Sequence, residues 1–169
     1  PLITEHLDVE AVIVGDGPER RKLEALAANL SLGERVQFLG ARGHDEMPGL
    51  LSSAELAVFP SLMEATSVAA LESMACELPV AASEVGGLPE IVDHDVGALF
   101  EAANPTALAA AVTALLGRED LRALGAAARS RVVERWSNAR LVDRHLEVYE
   151  SLLVRGREQV RKPSGESEG

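Results

Sequence analysis

The sequence holds one cysteine, one tryptophan and one tyrosine in 169 residues, and its 16 basic side chains are outnumbered by 27 acidic ones. Each shortage excludes something. A lone thiol, Cys76, leaves no internal disulfide and no cysteine-rich zinc site, and its place in the run Ser73-Met74-Ala75-Cys76 reads as a small buried core residue. A formal net charge of −11 argues against nucleic acid as a partner, because affinity for a polyanion comes mainly from Lys and Arg neutralising phosphates. A small phosphorylated ligand stays open, since backbone amides at a helix start hold phosphate without any basic side chain. No stretch reaches the roughly 20 consecutive apolar residues of a spanning helix, and the chain does not open on a basic segment followed by an apolar run. No transmembrane segment is therefore expected, and the domain is expected to be cytoplasmic. His44, His94 and His145 are not spaced as a ligand set and His6 lies in a lead expected to be disordered, so no metal is assigned.

What is present, 47% apolar and 25% charged residues, suits one globular domain with a sizeable core. Val9 to Val14 is short, β-branched and stopped by Gly15-Asp16-Gly17-Pro18, which reads as a buried strand entering a tight turn rather than a dinucleotide fingerprint. From Pro18 to Leu30 apolar residues recur at Leu23, Leu26, Ala27 and Leu30, which predicts a helix, with Gly33 as its stop. The rhythm repeats with strands at Arg35 to Gly40, Leu56 to Phe59, Pro79 to Ala82 and Gly97 to Phe100. Helices are predicted over Glu46 to Ser53, Ser67 to Cys76 and, as a single turn, Leu88 to Val92. Alternation with short connections predicts an α/β fold, a Rossmann-like doubly wound parallel sheet.

Beyond Pro105 only helices are predicted, over Thr106 to Leu116, Asp120 to Trp136 and Ala139 to Leu153. Trp136 and Tyr149 fall there and are read as packing residues rather than as a sugar platform. The expected organisation is one domain over residues 1–154 and a disordered tail over 155–169, which has almost nothing apolar to bury. The chain opens at Pro1 with no strand to define a start, so it is expected to be a fragment.

The stretch from Pro60 to Val80 carries the chemistry. It sets Glu64 in the loop after a strand and Glu72 inside the following helix, at the C-terminal edge of a parallel sheet, where open α/β folds bind ligands. Between them the amides of Thr66, Ser67, Val68 and Ala69 would present free N–H groups in the positive field of a helix start, a place for a diphosphate. A fully helical connection would separate the two carboxylates by roughly 12 Å along the axis, at about 1.5 Å per residue. That matches the reach of a sugar diphosphate nucleoside, with one carboxylate at the sugar and the other at the ribose. The plainer alternative is a dipole-favouring Glu64 and a solvated Glu72.

The stretch resembles the E-x7-E motif of retaining GT-B glycosyltransferases of the glycosyl transferases group 1 family, with Glu64 and Glu72 on the two acidic positions. Val12 to Pro18, Val36 to Gly40 and Ser83 to Glu90 match further family blocks in the family's order. The resemblance implies the C-terminal, donor-binding half of a GT-B fold, followed by C-terminal helices. It implies Glu72 on the ribose hydroxyls, Glu64 beside the donor hexose as the catalytic carboxylate, and the amides from Ser67 to Ala69 on the diphosphate. The loop at Gly40, Ala41 and Arg42 would pass against the base. It implies a nucleotide sugar as donor, no cofactor and no metal. An N-terminal acceptor domain is missing on this reading, and with it an Arg and a Lys that grip the phosphates, so the fragment is expected to be inactive alone. Peripheral membrane contact through that missing half stays open.

Departures from the pattern are Ser67 where many members have Gly, Thr66 in place of an aromatic residue, and Glu77 where Gly is usual, a costly choice if that position needs positive φ. Gly86-Gly87 allows either close approach to a ligand or a tight turn. Other functions on the same architecture are a nucleotide-sugar epimerase, a phosphorylase, or a non-catalytic nucleotide-binding module with a vestigial Glu pair.

Overall fold

The computed structural model describes residues 9–161, with side chains to residue 153. It falls into two compact units, divided between Ser130 and Arg131. The first alternates strands and helices: β1 (Ala11–Val14), α1 (Arg20–Asn29), β2 (Val36–Gly40), α2 (Met47–Ser52), β3 (Ala57–Phe59), α3 (Val68–Ala75), β4 (Val80–Ser83), α4 (Leu88–Ile91), β5 (Gly97–Phe100) and α5 (Pro105–Leu116). Then come α6 (Leu121–Trp136) and α7 (Asn138–Arg161). Every strand pairing is parallel, in a β1-β2 ribbon and a three-stranded β3-β4-β5 sheet. Among the described residues no strand joins β1 to β3.

The parallel α/β architecture is the expected one, and its core gathers on the three-stranded sheet. β4 is buried at all four positions, because Val80, Ala81 and Ala82 bond to neighbours on both sides and meet helices on the faces. Met74 of α3 and Leu88 and Ile91 of α4 are essentially without solvent exposure. On the α5 side, Ala81 and Phe100 pack with Val112, Leu115 and Leu124. Gly97 is required where β5 meets β4, since a Cβ there would lie 1.9 Å from the Val80 carbonyl oxygen.

Two helix ends share one solution. After α1, Ser31 N–H donates to Ala28 O and Leu32 N–H to Ala27 O; after α3, Glu77 N–H donates to Met74 O and Leu78 N–H to Ser73 O. These are paired closures through a residue in the left-handed region, usually glycine. Here non-glycine residues take it, Ser31 at φ 54° and Glu77 at φ 64°. The stop expected at Gly33 is thus made two residues earlier, and Gly33 instead opens a single 3-10 turn, Gly33–Arg35, ahead of β2. At Glu77 the strain predicted from sequence is present. Its backbone is hemmed in by α6, whose Gly125 approaches so closely that a Cβ would stand 2.0 Å from Glu77 O. Arg129 adds a hydrogen bond to Ala75 O and lies 3.8 Å from the Glu77 carboxylate.

Some elements differ from expectation. Cys76 is half-buried rather than in the core, because it is the C-cap of α3 and not a residue of its inner face. In the second unit Tyr149 is 57% exposed and stands edge-on to His145, not in a packed core. α7 continues through Arg161, past the Arg155 at which a disordered tail was expected. Arg, Glu and Gln at 157–161 are good helix formers. The rest of the expected tail lies outside the described residues. No described helix is long and apolar enough to cross a membrane.

Candidate functional site

The site is built from the loop that leaves β3. Buried Ser83, at the end of β4, donates its hydroxyl toward Ser61 O at 2.6 Å and Phe59 O at 3.3 Å, which ties the first residues of that loop to the sheet. Further along, Gly87 N–H donates to Ala65 O at 3.0 Å. At Gly86, with φ 53°, a Cβ would fall 1.6 Å from the Glu64 carbonyl oxygen, and at Gly87 one would fall 2.3 Å from Ala65 O. Only glycine permits this clasp. Of the two readings of Gly86-Gly87, the structure shows the tight turn, closed by Leu88 N–H donating to Val85 O, and its close approach is to the protein's own backbone, which fixes where Glu64 sits.

Ser67, buried and extended at φ −81° and ψ 97°, caps α3, its hydroxyl accepting from Ala70 N–H at 3.4 Å. Val68 and Ala69 open the helix, both exposed, and their N–H groups have no acceptor within the helix. Thr66 stands before the cap, outside the helix. Serine at the cap satisfies one amide and leaves the start of the helix open to solvent. Since helix begins only at Val68, the fully helical path between Glu64 and Glu72 assumed for the length estimate is not the path taken.

Both carboxylates are half-buried, Glu64 in the loop and Glu72 one turn into α3. Leu62 and Met63, 74% and 89% exposed, precede Glu64. The β2–α2 loop reaches the other carboxylate, with His44 Nδ1 3.5 Å from Glu72 Oε1. Gly40 anchors that loop. Its φ is 73°, its carbonyl accepts from Gly15 N–H at 2.8 Å, and a Cβ would stand 2.8 Å from Arg20 Nη1. Ala41 and Arg42 follow as exposed residues, with Arg42 3.5 Å from Glu46, whose other carboxylate oxygen accepts from Gly43 N–H at 2.8 Å.

Two loops thus converge on α3, one carrying Glu64 and the other Gly40 to His44. Glu72 joins the second. His44 is the site residue that the sequence did not single out, and no spacing rule relates position 44 to position 72; only the fold brings them together. A separate grouping, Asp93, His94 and Asp95, brings ligand atoms within 4.8 Å of one another. It precedes β5, at the N-terminal edge of the parallel sheet, and so belongs to the opposite edge from Glu64.

Comparison with known proteins identifies the family. Residues 1–131 match the family model for glycosyl transferases group 1. The chain is 35% identical over 154 residues to N-acetyl-alpha-D-glucosaminyl L-malate synthase of Bacillus anthracis, covering 90% of this chain and 40% of that protein. Among solved structures it is similar to a sucrose-phosphate synthase from Thermosynechococcus elongatus, with a TM-score of 0.76, 33% identity, and coverage of 85% of this chain and 38% of that one. It is also similar to the HepE protein of Anabaena crystallised with UDP, with a TM-score of 0.76, 27% identity, and coverage of 85% and 41%. The chain spans about 40% of the length of these relatives. Its fold corresponds to the C-terminal half of a GT-B enzyme, and the chain belongs to the glycosyl transferases group 1 family.

Proposed function

We propose that residues 1–154 form the donor-binding part of a retaining hexosyltransferase that uses a nucleoside diphosphate sugar. One observation carries the reading: the open start of α3 lies between two half-buried carboxylates, Glu64 before it and Glu72 within it. On this reading Glu72 accepts hydrogen bonds from the ribose hydroxyls, the amides of Ser67, Val68 and Ala69 hold the diphosphate with Thr66 beside them, and Glu64 orients the hexose. The base lies against Gly40, Ala41 and Arg42. The HepE complex with UDP supports the choice of ligand class.

In the transfer, the bond between the anomeric carbon and the diphosphate oxygen breaks, and a bond to an acceptor hydroxyl forms on the same face of the sugar. The leaving diphosphate carries away the electron pair, and its freed oxygen takes the proton that the acceptor hydroxyl loses. Amides fixed before the reaction stabilise that growing charge without reorganising. No metal or cofactor is required by this scheme. The match to the E-x7-E pattern supports retention. The acceptor falls to an N-terminal domain in the whole enzyme, so the chain by itself is expected to bind donor and transfer nothing.

Calorimetric titration with UDP, GDP and ADP tests the donor site. One nucleotide should bind without metal, and Glu72→Ala should weaken it about 10- to 100-fold, as expected when a hydrogen bond to a charged group is lost. Unchanged affinity in the folded variant would remove Glu72 from the ribose and with it this reading.

A further inference from the structure

We propose that His44 is a second ribose-recognition side chain, which with Glu72 reads the vicinal diol of the donor nucleotide. The inference rests on the reading of Glu72 as the ribose carboxylate and adds a residue that the E-x7-E resemblance does not include. Its observation is the 3.5 Å approach of His44 Nδ1 to Glu72 Oε1, across two elements far apart in sequence.

The chemistry of a diol explains why the pair suits it. Each ribose hydroxyl has a proton to donate and lone pairs that accept, whereas a carboxylate only accepts. Glu72 alone therefore satisfies the two protons and leaves the hydroxyl oxygens to water. With Nδ1 turned to the carboxylate, the imidazole presents Nε2 outward, and the His44 side chain is 88% exposed while that of Glu72 is 34% exposed. In the neutral ring Nε2 accepts from a hydroxyl, and in the protonated ring it donates to a hydroxyl oxygen. Only the donating form makes a contact with a hydroxyl oxygen that Glu72 cannot make; the accepting form shares the hydroxyl protons with Glu72.

The loop is held so that this placement recurs. Gly40 is pinned to Gly15 on one side, and Arg42 and Gly43 are both tied to Glu46 on the other, which leaves His44 at the turn between two fixed points. The ring needs no support from the core. Its removal should leave the fold intact, so a binding experiment reads the ribose alone.

The test titrates the full chain with UDP, GDP and ADP and with the 2′-deoxy counterpart of whichever binds. The unmodified protein should prefer the ribonucleotide about tenfold, at the upper end of what one net hydrogen bond supplies. Glu72→Gln should abolish most of that preference. His44→Ala should reduce it to about two- to threefold with the affinity for the 2′-deoxy nucleotide unchanged, and His44→Asn, which keeps a polar side chain, should restore part of it. If His44→Ala leaves the ratio intact while Glu72→Gln collapses it, His44 is not a ribose residue and the donor reading survives. If His44→Ala weakens both nucleotides equally, the side chain acts on the loop and the proposal is overturned. A ratio that neither substitution changes overturns both readings.

Discussion

β4 and β1 are both four-residue parallel strands of small and branched apolar side chains, Val80 to Ser83 and Ala11 to Val14, yet one is buried at every position and the other at none. Val12, Ile13 and Val14 are 51%, 37% and 36% exposed, while Val80 is at 0%. Local sequence does not separate them. Among the described residues β4 has a strand on each side and β1 has one, β2. Parallel strands are normally covered on both faces and read as continuous apolar runs, so β1 has the sequence of an inner strand while the described residues give it the setting of an edge. Apolar sequence therefore marks a strand built for burial, and the neighbours decide whether the burial is realised. Glu64, Glu72 and the glycine clasp belong to the fully packed sheet and its loops, while the loop after β2 brings His44 to Glu72.

The sharpest way to break this contrast is a methyl group placed on each side of it. Gly97→Ala puts a Cβ 1.9 Å from Val80 O, and is expected to cost about 3 kcal/mol or more, at or above the usual upper range for overpacking. Gly17→Ala, with nothing within 4 Å of the new atom, should change stability by less than about 0.5 kcal/mol. Urea midpoints of the two variants give the comparison directly. Equal losses would mean that the ribbon is as tightly packed as the sheet.

A smaller effect asks whether packing holds backbone strain in place. Ser31→Gly and Glu77→Gly relieve the same left-handed closure, one after α1 in the open half and one after α3 in the packed half. Each should gain about 0.5–1 kcal/mol, the relief of left-handed backbone less the extra entropy of an unfolded glycine. Thermal midpoints of the pair distinguish a common local strain from a tertiary one. A loss at Glu77 alone would show that its contact with Arg129, 3.8 Å away, outweighs the strain.

The smallest effect concerns the start of α6. Arg118 reaches Asp120 with two hydrogen bonds of 2.8 and 2.7 Å, and these hold the Asp120 carboxyl below its ordinary value of 3.8 while raising the guanidinium above its own. Because the folded carboxyl is the stronger acid, the pair stabilises the fold above that ordinary value and the contribution is lost as pH falls through the lowered one. Asp120→Asn should lower the thermal midpoint slightly at neutral pH and not at all at a pH below the lowered carboxyl value, where this carboxyl is protonated in folded and unfolded chains alike. Both partners are solvent-exposed, so the difference should also shrink in salt.

Much of this was legible before any coordinates. The alternation of β-branched runs with helical periods located all five strands, and the positions of Glu64 and Glu72 on a loop and a helix followed from where Phe59 and Ser67 interrupt those patterns. The strained Glu77 was legible as well, because a glycine-like position after a helix asks for positive φ whatever side chain occupies it. Three features were not. Ser31 took the closure expected of Gly33, two residues earlier, and boundary residues are the least determined by periodicity. Burial of β1 depends on a neighbour that its own residues do not encode. His44 meets Glu72 only through the path of β2 and α3, and no local pattern reports such a contact.

The clasp at Gly86 and Gly87 changes how tolerance to mutation should be read along this chain. Neither glycine bears a functional group, yet any side chain at 86 must displace the carbonyl of Glu64. On the proposed reading of Glu64, a scan of all single substitutions scored by donor binding would find position 86 as intolerant as position 64, though for a mechanical reason. An intolerant glycine in the loop after the next strand is thus the trace left by a carboxylate's backbone, and intolerance by itself cannot distinguish a residue that touches a ligand from the one that holds it still.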